Sequence, residues 1–308
     1  MYTTLNAQAQ LFLANLQRTQ QDLDTATSEL SSGLQMTEAS DSPDQVDQLL
    51  QLRANLAQNT QIQGDLTLAQ TDASTADSTL NAAASLMNTA LQLATEGANS
   101  TQTAESRTSM AVQAQSLLSE MVAYSQTQVS GTYIFSGDDP QSPTYQVDLS
   151  STTGNGVDQL SNASATKVIQ NPAGGTFPAY LTAQQIFDDR NADGSLATDN
   201  VFASLYNLYT ALTNNDQTGC ANAVDQLQAA ADHIGDMDAF YGNVEDQITQ
   251  ANSFAASYAT QLQTQIGNLQ DTNIPQAATE LTQDQTQLEA AMQSQAEMPT
   301  KSLFDYLG

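Results

Sequence analysis

Between residues 189 and 194 the chain reads Asp189-Arg190-Asn191-Ala192-Asp193-Gly194. Oxygen-bearing side chains at alternate positions, with glycine at the sharp turn, form the first half of a calcium loop. Asp189, Asn191 and Asp193 are therefore the candidate metal ligands. The second half departs from that pattern, because Ala197 and Asn200 stand where such a loop needs a further ligand and a bidentate glutamate. An ordinary Asp/Asn/Gly turn is the preferred reading. Cys220 and His233 are the other residues with nucleophile-and-base chemistry. No glycine elbow or oxyanion-type loop accompanies either, so they read as an ordinary cysteine and a surface histidine. No phosphate-binding loop, zinc spacing or dinucleotide fingerprint is present. The expectation is a chain without catalytic residues or cofactor, and hence not an enzyme.

Composition narrows the class further. Six basic residues stand against 34 acidic ones, a formal net charge of −28. Phosphate affinity comes from clustered Lys and Arg, so nucleic acid is excluded as a partner. An anionic membrane surface is excluded on the same ground. No apolar run approaches the roughly 18 residues of a membrane span, so membrane insertion is not expected. The single cysteine rules out an internal disulfide framework. The opening MYTTLNAQAQ lacks the basic start and apolar core of a cleaved secretory signal.

With no reactive constellation to position, the pattern of the elements becomes the informative feature. Tyr2, Leu5, Ala9, Phe12, Leu16, Thr19, Leu23, Ala26 and Leu30 recur in steps of three and four, a heptad-like stripe that Gly33 ends. Ser42-Pro43-Asp44-Gln45 carries the signals of a new helix start. Leu66, Ala69, Ala73, Ala76, Leu80, Ala83, Met87, Ala90 and Ala94 form a second stripe, which Gly97-Ala-Asn-Ser breaks. A third runs through Arg107, Met110, Ala114, Leu117, Met121 and Tyr124. The C-terminal half repeats the theme with Tyr241, Val244, Ile248, Ala251, Ala255, Tyr258, Leu262 and Leu269, and then with Ala278, Leu281, Gln285, Leu288, Met292 and Gln295. Tyr206 and Tyr209 also read as core. From Gly131 to about Tyr180 the character changes: GTYIFSG and PTYQVDL are short β-type runs set among Gly and Pro.

The fold class expected is mainly α: a long coiled-coil helical hairpin built from both termini, with a small inserted β-containing middle domain. Its parts are 1–38 and 273–308 as the two halves of an inner-core coiled coil, 39–130 and 186–272 as the helices of an outer-core domain, and 131–185 as the β-rich middle. Tyr124, Tyr133 and Phe135 are expected to pack the corner where helices meet that middle domain. Each terminal stripe offers few large apolar groups for the many backbones it must order, so the first and last ~35 residues should be poorly ordered in a monomer and fold when neighbouring copies cover them. The apolar cluster Leu303, Phe304, Tyr306 and Leu307 reads as a surface meant for a partner.

Several stretches together resemble one family. ELSSG (29–33), ASDSPDQV (39–46), LATEGANST (93–101), GTYIFSG (131–137) and the terminal SLFDYLG are similar to the flagellin superfamily. The Ser-Asp-x-Pro junction and the Tyr-Ile-Phe-Ser-Gly entry look like the hook-associated protein 3 type, which joins hook to filament. The resemblance implies a structural subunit of the bacterial flagellum that polymerises through its terminal helices. It also implies extracellular placement after type III export without a cleaved signal. Partners would be neighbouring subunits, a flagellar hook-associated protein, flagellin and an export chaperone. The subunit-interface candidates are Leu5, Phe12, Leu16, Leu23 and Leu30, with Leu281, Leu288, Met292, Leu303, Phe304 and Leu307. A filament flagellin is the alternative within the family, and a soluble helical-bundle adaptor the alternative outside it.

Overall fold

The structure is a computed structural model that describes residues 7–37, 42–163 and 165–297. Among these, seven helices carry most of the chain and six short strands interrupt them. The described residues form two compact units, one drawn from residues 1–58 and 258–308, the other from residues 59–257.

In the first unit, helix α1 (Ala7–Ser32) packs against helix α7 (Ile274–Glu297). Gly33, at φ +74°, ends α1, and its amide donates to the Glu29 carbonyl at 2.8 Å. Glycine suits this left-handed position because it has no Cβ to clash. The chain then leaves α1 and enters a new helix at Pro43, whose first amide hydrogen bonds, from Gln45 and Val46, go to the Ser42 carbonyl. Part of the ASDSPDQV stretch, residues 39–41, lies outside the described residues.

Two long helices, α2 (Pro43–Gly97) and α6 (Gln217–Gln270), run through both units. In the second unit, every α2 stripe residue from Leu66 to Ala94 is buried, as are Tyr241, Val244, Ile248, Ala251 and Ala255 of α6. Both helices contribute to one apolar core, joined by α3 (Ala104–Ser125) and α5 (Val201–Thr213). Tyr206 and Tyr209 are half-buried against that core. Alanine at the stripe positions leaves little side chain between neighbouring backbones.

The middle of the chain is a set of hairpins rather than a continuous sheet. Strands β1 (Gln128–Val129) and β2 (Thr132–Tyr133) pair across a turn in which Ser130 and Gly131 both have positive φ. Strands β3 (Tyr145–Val147) and β4 (Val157–Gln159) pair antiparallel, as do β5 (Val168–Gln170) and β6 (Thr176–Pro178). GTYIFSG is thus only briefly a strand, and its Ile134 and Phe135 turn into the core instead. Phe135 meets Phe187 of α4 (Ala183–Phe187) at 5.8 Å and Tyr241 at 6.3 Å, both edge to face, so of the three aromatics expected at the corner Phe135 packs there, with Phe187 and Tyr241 as its ring partners. The fold class read from the sequence, mainly helical with a small β-containing insert, is the one observed.

Candidate assembly surface

The paired chain ends are where the sequence places an interface. On α1, Phe12, Leu16, Thr19, Leu23 and Leu30 are half-buried and Ala26 is buried. That is the expected stripe. On α7 the half-buried residues are Ala278, Leu281, Asp284, Leu288 and Ala291. Gln285 and Met292 are exposed, so the inner face of α7 is turned one position from the stripe read in the sequence. The expectation of poorly ordered ends is corrected for residues 7–32 and 274–297, which form paired helices. What stays unfinished is their coverage. Leu11 is 65% exposed, Leu13 42% and Met292 57%. Leu5, Leu303, Phe304 and Leu307 lie outside the described residues.

Backbone bonds lock the base of this pair. The Gln35 amide donates to the Gln270 carbonyl at 2.8 Å, the Thr272 amide donates to the Gly33 carbonyl at 2.9 Å, and Leu34 bridges Asp271 antiparallel. Side chains reinforce it: Thr272 Oγ1 donates to Glu29 Oε2, and Arg53 Nη2 to Gln270 Oε1, each at 2.9 Å. The chain therefore reverses between α1 and α7 around a small polar joint, and the two helices run antiparallel from it. Glu29, Gln35 and Arg53 were not singled out by periodicity, because a joint between residues more than 200 apart leaves no local pattern.

Two polar clusters hold the second unit. Arg107, on α3 and buried, has no carboxylate partner among the described residues. Its Nε donates to the Gly97 carbonyl at 2.9 Å, Nη2 to the Asn99 carbonyl at 2.9 Å, and Nη1 to Asn215 Oδ1 at 2.7 Å and the Gln102 carbonyl at 3.3 Å. One guanidinium thus satisfies the carbonyls of the LATEGANST turn and ties it to the α5–α6 turn. Asp188, also buried, accepts at Oδ1 from Asn155 and Asn200 at 2.9 Å each, and at Oδ2 from Arg190 at 2.8 Å and Tyr145 at 3.3 Å. Burial is the main cause that pushes the Tyr145 phenol up, with the Asp188 charge adding to it.

The candidate calcium loop is closed on itself. Asn191 Nδ2 donates to Ser195 Oγ and the Leu196 carbonyl, and Asp193 Oδ1 accepts from the Ser195 amide and hydroxyl. Those two bonds to Ser195 hold the Asp193 carboxyl below its ordinary range. Asn200 is the N-cap of α5. His233 is not the surface residue expected: its Nε2 lies 3.0 Å from the Gln185 carbonyl and its Nδ1 3.5 Å from Asp199 Oδ2. Cys220 is buried against Gly97, and burial pushes its thiol up, away from the thiolate form a nucleophile needs. Among the described residues no three His, Cys, Asp or Glu side chains are grouped to hold a metal, and no helix is long and apolar enough to cross a membrane.

Comparison with known proteins points the same way as the paired ends. Residues 4–139 match the family model of the bacterial flagellin N-terminal helical region. Among curated proteins no sequence matches the chain. Several solved structures share the fold. A protein described as flagellar hook-associated, from Vibrio parahaemolyticus, superposes with TM-score 0.62 at 18% identity, over 75% of this chain and 100% of its own. Flagellar hook associated protein-3 from Legionella pneumophila does so with TM-score 0.60 at 13% identity, over 71% of this chain and 98% of its own. The flagellar junction protein FlgL from Legionella pneumophila gives 0.53 at 13%, over 66% of this chain and 99% of its own.

Proposed function

From a chain whose residues 4–139 are of the flagellin N-terminal kind, we propose a structural subunit of the bacterial flagellum that forms the junction between hook and filament. One observation carries the reading: the helices at the two chain ends pair with each other but keep Leu11, Leu13 and Met292 in water. Large apolar groups left in water on a helix pair gain about 1.5–3 kcal/mol each when a neighbour covers them fully. Phe12, Leu16, Leu23, Leu30, Leu281 and Leu288 supply the half-covered inner seam, and Leu5, Met292, Leu303, Phe304 and Leu307 the rest of the contact with other copies. Residues 1–38 and 273–308 then form the inner layer of a polymer, 39–130 and 186–272 the outer layer, and 131–185 a middle domain. The partners are neighbouring subunits, a hook-associated protein on one side and flagellin on the other, with an export chaperone holding the chain beforehand. Export proceeds without a cleaved signal, and the protein works outside the cell. Its role is structural, with no reaction assigned to any residue.

Electron microscopy of cells lacking the protein tests this. Shed filaments with intact hooks are expected, and filaments still held on their hooks would contradict the junction role. A chain carrying Phe304→Asp and Leu307→Asp should remain a folded, soluble monomer and fail to restore the filaments.

A further inference from the structure

Asn155–Gly156 is the chain's single Asn-Gly dipeptide. It is the sequence in which an amide side chain is most easily lost, because glycine leaves the following backbone nitrogen unhindered. The fold requires both residues. A Cβ on Gly156 would sit 2.4 Å from the Tyr206 ring and 3.1 Å from Leu118, and the glycine has φ +70°. Asn155, buried, donates through Nδ2 to Asp188 Oδ1 at 2.9 Å and accepts at Oδ1 from Thr153 Oγ1 at 2.5 Å. We propose that Asn155–Gly156 is a deamidation site which folding protects, and that conversion in the unfolded chain removes one of the donors to the buried Asp188 carboxylate.

The chemistry is self-contained. The Gly156 amide nitrogen, having lost its proton to hydroxide, attacks Asn155 Cγ. A Cγ–N bond forms, the Cγ–Nδ2 bond breaks and ammonia leaves, giving a succinimide. Water then opens the ring at either carbonyl, yielding aspartate or isoaspartate, so the sum is asparagine plus water giving acid plus ammonia. In the folded protein Asn155 cannot rotate into that attack without giving up its bonds to both Asp188 and Thr153, and burial keeps hydroxide away. In the unfolded chain neither restraint exists. The product places a carboxylate where an N–H was, facing the buried Asp188 carboxylate. Like charges that close inside a protein disfavour the folded state. Isoaspartate adds a backbone atom at a point where Gly156 has no room. The dipeptide therefore limits how long this chain can be kept unfolded and still reach its structure.

The test uses the full chain held in mildly alkaline buffer, folded or in concentrated urea, with peptide mass spectrometry following the amide-to-acid mass gain at Asn155. The folded protein should convert at least about tenfold more slowly, which is the effect of an opening cost of about 1.4 kcal/mol. Equal rates in the two states would overturn protection. Asn155→Asp should lower the denaturation midpoint or fail to fold, and Asn155→Asp with Asp188→Asn, which restores one amide facing one carboxylate, should recover part of the loss. A single variant as stable as the parent, or a double variant with no recovery, would overturn the consequence.

Discussion

Arg107 shows what a single residue can hold. Its four hydrogen bonds reach three backbone carbonyls and one side-chain amide, with no compensating carboxylate among them. A planar guanidinium with five donors suits that arrangement, and a lysine ammonium does not. Arg107→Met keeps the apolar stem but leaves the buried Gly97 carbonyl without its guanidinium donor, while the exposed Asn99 carbonyl keeps the Gln102 amide. An orphaned buried group costs about 1–3 kcal/mol, so a loss of that size is expected in chemical denaturation, with Arg107→Lys recovering only a fraction. A stable Arg107→Met variant would mean that water replaces the guanidinium. Arg107 was visible in the sequence only as one member of a stripe. Its partner Asn215 is 108 positions away, and nothing local marks the pair. The same holds for Asp188, whose partners Asn155 and Tyr145 lie on other loops and strands.

At the scale of elements, α2 and α6 meet through like charges as well as alanines. Asp238 on α6 is pushed up by burial first, then by the charge of Asp77 on α2 and a hydrogen bond to it. Glu245, two turns on, is raised by burial and by Asp77 and Asp246. Because the folded chain takes up these protons at a higher pH than the unfolded chain does, stability rises as the pH falls through the folded values. It stops rising at the ordinary carboxylate range, where the unfolded chain protonates too. Asp238→Asn should therefore raise the thermal midpoint at neutral pH and flatten its rise on mild acidification. An unchanged pH profile would remove Asp238 from the account. On α7 the exposed Met292 separates the two roles of a helix face. Met292→Asp should change monomer stability by no more than about 0.5 kcal/mol, the range of surface substitutions, while weakening assembly in a sedimentation or light-scattering measurement. The helices themselves were legible because their stripes keep a period of three and four over many turns, and because Gly33 and Gly97 stand where α1 and α2 end. The inner face of α7 was less so. With alanine at positions 277, 278, 290 and 291, apolar spacing alone does not decide between Ala291 and Met292. The short strands were legible as a change of character rather than as elements, since strands of two or three residues, such as those carrying the buried Ile169 and Phe177, are too short to show an alternating pattern.

For the whole molecule, a net charge of −28 keeps single copies soluble and makes them repel one another. Apolar contact between chain ends must overcome that repulsion, which is why the account rests on the incomplete cover of α1 and α7. The second unit, by contrast, buries its α2 stripe from Leu66 to Ala94 and the Tyr241–Ala255 stripe of α6, with Leu66, Leu80, Met87, Ile248 and Ala255 at zero exposure. Its core is complete in one copy; the seam of the first unit is not. Amide hydrogen exchange reads this difference directly, comparing the isolated chain with its assembled form. In the isolated chain, amides of residues 7–32 and 274–297 should exchange far faster than those of residues 66–94 and 241–255, and assembly should slow the first group while leaving the second unchanged. Equal protection of both groups in the single copy, or no added protection on assembly, would contradict the claim that neighbouring copies complete the cover of the paired end helices.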